Sequence, residues 1–275
     1  MNIKELQATF ISLYECWDQD WPGLPTIMDS CLVRLGYLPG TPLQQSTQAL
    51  HDCIEHVARL IEQDGQTRAG LNQEPDYHNR LHVANTLVSL TTLLLLQRQV
   101  SGDERSMPSH IEWMAMLTML SHDLLHDGSV NTRVSQLEAR SLNYLNPLLK
   151  KYGVNQADQR VMNAIILLTD PTLVKACHEK IKSTPFVIEN MDCLAVLIQE
   201  ADIMASTMPE IGPLLTKKLA SEWAKINVKK MDTLITIPGR IEFLRNGAFF
   251  SSPVSQLLGI DLIKSAQLLA LGENV

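Results

Sequence analysis

The sequence predicts an all-α fold, and three observations carry that expectation. Nearly every segment between Pro and Gly punctuation places its apolar residues at the spacing of a helix face. The strict alternation that a half-buried strand needs is hard to find. Several segments also open on residues suited to capping a helix.

In chain order, the periodicity predicts helices over about residues 2–17, 25–36 and 43–64. The third is amphipathic, and its His51, Asp52 and His56 read as a solvated face. A leucine-rich helix follows over 77–100, with Asp76 placed to cap it at Tyr77. On it His78, His82, Asn85 and Ser89 form a polar stripe, because residues four apart share a face. The helix over 110–126 opens on Ser109-His110-Ile111-Glu112, a capping-box pattern. Gly128 stands where a helix ending near His126 needs a residue that tolerates a left-handed turn. A second capping box, Ser135 to Glu138, opens a helix over 136–151, in which Pro147 predicts a kink or break. The remaining helices are expected over 156–169, 188–204, 212–226, 238–246 and 254–271.

Composition narrows the function classes. Apolar residues make up 45% of the 275, enough for a sizeable core, and no repeat, low-complexity run or linker interrupts them. The simplest organisation is one domain over 1–275: accessory helices to about residue 70, packed beside a core over about 70–250. The formal charge is −7 and the basic residues form only short pairs such as Lys150-Lys151 and Lys217-Lys218, so nucleic acid is not expected as the main partner. A small anionic substrate stays open, since a bound cation would neutralise its charge. The five cysteines are scattered and show no CxxC spacing, which fits a reducing compartment. The N-terminus has no continuous apolar run of the signal-peptide kind, and Leu87 to Leu96 is too short to span a bilayer. A soluble cytoplasmic protein without a membrane partner is expected; the sequence leaves its oligomeric state open.

The chemistry-bearing residues sit at the ends of apolar helices. Ile111 to Leu120 is almost wholly apolar and runs into Ser121-His122-Asp123. A buried carboxylate there demands a partner or a metal; a helix emerging into solvent would leave the pair hydrated. His-Asp occurs three times, at 51–52, 122–123 and 126–127, but only the second follows a strongly apolar run. Leu194 to Asp202 is a further apolar stretch that ends in carboxylates. His78 and His82 read equally as ligands or as surface histidines. Together, two imidazoles and two carboxylates make a nitrogen and oxygen set suited to Zn²⁺, Mn²⁺, Fe or Mg²⁺.

Five motifs in order resemble the HD-domain metal-dependent phosphohydrolases, and in particular the catalytic domain of the class I cyclic nucleotide phosphodiesterases. Tyr77 to His82 matches YHNxxH, and His122 to Asn131 matches HDxxHxGxxN. Ser135 to Glu138 resembles SVLE, Leu168-Thr169-Asp170 resembles ATD, and Ala201-Asp202 resembles the AD before a loop. The resemblance spans roughly residues 70–250. It implies a helical bundle with one metal held by His82, His122, Asp123 and Asp202, and a second reached by Asp123 and held largely by water. It makes His78 the general acid, Glu138 its orienting partner and His126 a group near the second metal. The implied reaction is hydrolysis of a phosphate ester by hydroxide held between the cations, with Asp170 and Arg240 as candidate substrate contacts.

The departures are specific. In the segment Ile237 to Phe243, Ile237 stands where the family has its nucleotide-selecting glutamine and Arg240 where it has a stacking phenylalanine. Ala205 replaces an asparagine, and the stretch from Asn131 to Ser135 is short. Retained chemistry with lost purine recognition is therefore expected, and Arg240 reads either as a contact for a second phosphate or carboxylate or as a solvated helix residue. The rivals are a true 3′,5′-cyclic nucleotide phosphodiesterase and a non-catalytic helical binding or signalling module.

Overall fold

The computed structural model describes residues 2–17, 19–103, 105–226 and 232–273, and within them the chain is helical with no strand. The helices are α1 (Ile3–Trp17), α2 (Leu24–Arg34), α3 (Gln45–Gly70), α4 (Arg80–Ser101), α5 (His110–Ser121), α6 (Gln136–Lys151) and α7 (Gln156–Leu167). They continue as α8 (Pro171–Ile181), α9 (Met191–Thr207), α10 (Ile211–Ala224), the short α11 (Ile237–Glu242) running into a π-helical turn at Phe243–Gly247, α12 (Pro253–Leu258) and α13 (Ile260–Ala270). No helix among the described residues is long and apolar enough to cross a membrane.

Two helices form the centre. α5 is buried from Glu112 to Ser121, and α4 is buried along nearly its whole length. Apolar residues on all sides of α4 produce that burial, and α9, α5, α2 and α1 pack around it. Its Thr86, Ser89, Thr91 and Thr92 hide their hydroxyls by donating to carbonyls three or four residues back, so Ser89 belongs to the core and not to an open polar stripe. Trp113 of α5 is fully buried, and each such large side chain contributes about 1.5–3 kcal/mol on leaving water. One continuous apolar core runs from Leu6 and Phe10 of α1 through α4, α5 and α9 to Ile260.

The N-terminal helices are clamped to this centre at Arg80. Its guanidinium bonds Glu62 of α3 and Glu74 of the α3–α4 loop, and lies 5.0 Å from the ring centre of Trp17 in α1. Glu62 also accepts from Trp21 Nε1 and Leu24 N, which ties in α2. Gly65 makes room for the clamp: a Cβ there would stand 2.5 Å from Arg80 Cδ.

Several local expectations are corrected. α4 opens at Arg80 because Asn79, not Asp76, caps it, accepting from Leu81 N and His82 N; Asp76 instead accepts from Ser221. His78 therefore precedes the helix and does not share a helical face with His82. The Ser109–Glu112 capping box is present, but the Ser135 one is not. Ser135 is left-handed at φ 53 and donates to Leu167 O. α6 runs unbroken through Pro147. α8 was not expected at all: Asp170 caps it by accepting from Thr172 N, and Pro171 sits at its first turn, where a missing N–H costs nothing. The C-terminal helix breaks at Gly259, φ 85, into α12 and α13. His51 is not solvated; its ring packs 5.7 Å from Trp113 and 5.2 Å from Tyr37.

Candidate metal centre

Four side chains from three helices converge. Asn79 fixes the first turn of α4 and with it His82. α5 ends at Ser121, and His122 at its C-cap donates from Nδ1 to Met119 O at 2.7 Å. That bond holds the ring and leaves Nε2 as the atom facing the site. Asp123 follows in a turn completed by Leu125 (φ 58) and Gly128 (φ 78). The helix thus ends earlier than 126, and the left-handed turn begins on a leucine. Asp202 comes from α9.

His82 Nε2 lies 3.4 Å from Asp123 Oδ2 and 3.2 Å from Asp202 Oδ1, and His122 Nε2 lies 3.3 and 3.4 Å from the same two oxygens. Ligand atoms each about 2.0–2.2 Å from one cation stand about 3.0–3.5 Å apart, so these four nitrogen–oxygen distances fit a shared ion, most compactly at His82, His122 and Asp123, whose ligand atoms all lie within 4.8 Å of one another. Both Nε2 atoms are buried and make no hydrogen bond among the described residues. A buried ring nitrogen without a partner is costly unless something else fills its lone pair, so the donor set fits a metal ion.

The charges agree with that geometry. Burial alone would depress the His82 imidazole, but Asp123 and Asp202 outweigh it and hold its pKa up to about 9. Burial likewise opposes, and the same carboxylates override it, at His122, whose pKa is raised well above the ordinary value. Against the upward push of burial, the two imidazoles lower both carboxylates.

Beside this centre stands a second group, His78, His126 and Glu222. His78 Nδ1 is 2.5 Å from Glu222 Oε1, while Glu222 Oε2 accepts from Tyr77 N and His78 N at 2.8 and 3.0 Å. Two ligands of one cation do not approach so closely, so this is a hydrogen-bonded His–Glu pair. Against burial, the His78 imidazole and backbone bonds bring Glu222 down to about 2. His126 stacks on His78 with ring centres 4.1 Å apart, and its Nδ1 accepts from Gly128 N. Burial, then the His78 charge, lowers His126 to about 4. Gly128 is required twice, by its positive φ and because a Cβ would stand 3.1 Å from Glu222 Cγ. Tyr77 OH pairs with Ser206 Oγ at 2.9 Å and joins the loop to α9.

Three expected roles change. Glu138 does not orient His78; its carboxylate accepts from Asn131 Nδ2, and burial followed by the charges of Asp170 and Asp123 raises its pKa. Asp170 is fully buried, with both oxygens taken by Thr172, Ser135 N and Asn131, so it shapes the 131–138 loop and offers nothing to a substrate. Arg240 is also engaged elsewhere: it donates to Ser206 O, Thr207 O, Met208 O and Gln267 Oε1, closing the C-terminus of α9. Ile237 is 59% exposed on α11 and Ala205 is buried in the core.

Glu222 is a candidate site residue that the sequence alone did not single out. It lies 144 positions from His78, so no local spacing joins them. A signal existed: Ile211, Leu215 and Glu222 are all buried on α10, which puts a carboxylate on an apolar stripe. A small cavity of about 30 Å³, room for about two waters, adjoins the site and is lined by His78, Asp123 and His126 together with Asp64 and Arg68 of α3. In comparisons with known proteins, no family model matches this chain and no curated protein matches it.

Proposed function

We propose that this chain is a metal-dependent phosphohydrolase of the HD-domain kind. The observation that carries the reading is that His82 Nε2 and His122 Nε2 each lie 3.2–3.4 Å from both Asp123 Oδ2 and Asp202 Oδ1, with both ring nitrogens buried and otherwise unpartnered. These four residues would hold a divalent cation. When bound, it supplies positive charge to phosphoryl oxygens and acidity to water. Zn²⁺, Mn²⁺, Fe and Mg²⁺ all suit the donor set.

The remaining chemistry belongs to the chain. Glu222 stays ionised and engages His78 Nδ1, so a proton on that nitrogen is held and His78 Nε2 is left to protonate a departing oxygen. His126 packs against the His78 ring and keeps it in place. The substrate is a small phosphate ester. All five cysteines are free, which supports a reducing, cytoplasmic setting.

The test joins metal analysis of purified protein with a panel of phosphate esters assayed with Mn²⁺, Mg²⁺ and Zn²⁺. Wild type is expected to retain about one equivalent or more of transition metal and to cleave simple esters; Asp123→Ala is expected to lose both. Equal metal in the two proteins sinks the metal centre. Selective turnover of 3′,5′-cyclic AMP or GMP would move the reading to a cyclic nucleotide phosphodiesterase. Metal without turnover of any ester would leave a binding module.

A further inference from the structure

A second cavity, of about 470 Å³, opens at the other end of the helices that carry the candidate metal ligands. It is lined by Gln97 and Arg98 near the end of α4, Glu112 in the first turn of α5, and Phe186, Val187 and Glu189 just before α9. Its volume falls in the range of about 300–1,000 Å³ that small-molecule sites occupy.

The placement is systematic. At about 1.5 Å of rise per residue, Gln97 lies about 22 Å along α4 from His82, Glu112 about 15 Å along α5 from His122, and Asn190, the cap of α9, about 18 Å from Asp202. Each helix that brings a ligand to the metal centre has its opposite end at this cavity. These helices pack directly on one another, so a shift of one helix against its neighbours at the cavity end is carried along it to the end that bears the candidate ligand.

The lining chemistry selects an occupant. Arg98 is committed, bonding Glu112 from Nε and Nη2 at 2.7 and 2.8 Å and Leu35 O from Nη2. Arg105 is paired with Asp103. Glu189 enters no ion pair among the described residues, so two arginines face three carboxylates and one negative charge is left over. Gln97 is 6% exposed, and its side-chain carbonyl oxygen, itself buried, has no hydrogen-bond partner among the described residues. Phe186, the half-exposed Val187 and Val100 give the cavity an apolar side. Excess negative charge disfavours phosphates and carboxylates, so this is not a second seat for the proposed substrate.

We infer that this cavity is an effector site for a small organic ammonium compound, one with N–H donors and an apolar body. Glu189 supplies the counter-charge and Phe186 and Val187 the apolar wall. Occupancy fixes the far ends of α4, α5 and α9 relative to one another and thereby biases the spacing of His82, His122 and Asp202. The effector role rests on the proposed hydrolase activity; the binding site does not.

Calorimetric titration of the full chain with benzylammonium, beside benzyl alcohol and benzoate as neutral and anionic counterparts, tests the site. Saturable binding of benzylammonium is expected, with benzoate showing none. Glu189→Gln is expected to weaken it at least tenfold, and Val187→Trp, which fills the cavity from its rim, to abolish it, while both variants keep wild-type metal content. Saturating benzylammonium is further expected to change ester hydrolysis or metal affinity at least twofold in wild type and not in Val187→Trp. Absence of saturable binding, or equal binding in wild type and both variants, overturns the site. Binding with no change in hydrolysis or metal affinity overturns the effector role. A protein that binds benzylammonium but cleaves no ester keeps the site and loses the hydrolase reading, so the two failures are distinguishable.

Discussion

At the scale of single residues, the His78–Glu222 pair decides how a proton is held beside the candidate metal centre. Glu222 Oε2 accepts two backbone N–H groups and Oε1 faces His78 Nδ1. In Glu222→Gln the side-chain oxygen is expected to keep the backbone bonds and turn its NH₂ toward the ring, which forces the proton of a neutral imidazole onto Nε2 and removes the charge that supports imidazolium. A positioned general acid contributes about 10²- to 10⁴-fold, and only where the leaving oxygen is basic. This substitution should therefore slow an alkyl phosphate ester by about 10²-fold or more, barely slow a nitrophenyl ester, and leave metal content unchanged. Equal slowing of both esters would make Glu222 a structural residue of the loop.

At the scale of elements, Arg240 shows how a residue read as a substrate contact becomes a cap. Its donors meet the carbonyls of Ser206, Thr207 and Met208, the groups that a helix end leaves without partners, and burial lowers its pKa to about 10. Arg240→Met should lower stability by about 1–3 kcal/mol in chemical denaturation while leaving KM for any ester unchanged; an unchanged denaturation midpoint with a raised KM would restore the substrate role. The same example marks what was legible. The apolar helices, and the His and Asp residues at the ends of α5 and α9, could be read from periodicity, because burial of α4, α5 and α9 leaves its imprint on every position. Helix boundaries were less legible where a polar residue had two uses. Asp76 and Asn79 are both good caps, and tertiary pairing of Asp76 with Ser221 settles the choice. Ser135 and Glu138 have capping-box spacing, yet Asn131 and Asp170 claim them first. Pro171 reads as a breaker until Asp170 turns it into the first turn of α8. The partner of His78 was illegible for a different reason, since α10 delivers it across the fold.

At the scale of the whole molecule, the candidate metal centre joins α4, α5 and α9, and its charge balance links metal binding to folding. Without metal, protonated His82 and His122 compensate Asp123 and Asp202, which is why both imidazole pKa values are raised and both carboxylates lowered. A cation can take that role only by displacing those protons, because the imidazoles must offer free lone pairs. The sign follows for His82. Its pKa is raised from 6.5 to about 9, so its contribution to the metal-free fold is fully present below about pH 6.5 and is lost as pH rises toward 9. With metal bound that loss does not occur, because the ion and not a proton faces the carboxylates. The difference in Tm between protein saturated with Zn²⁺ and protein held in chelator should therefore widen from pH 6.5 to 9, and apparent metal affinity should rise by up to about tenfold per pH unit for each proton displaced. Calorimetric titration at pH 7.5 in two buffers of different ionisation enthalpy should register release of between about one and two protons per ion. Asp202→Asn, which removes a charge the imidazoles answer to, should flatten the pH dependence. A Tm difference that is constant or narrows with pH would mean that the cation does not sit between His82 and His122, whatever esters the protein cleaves.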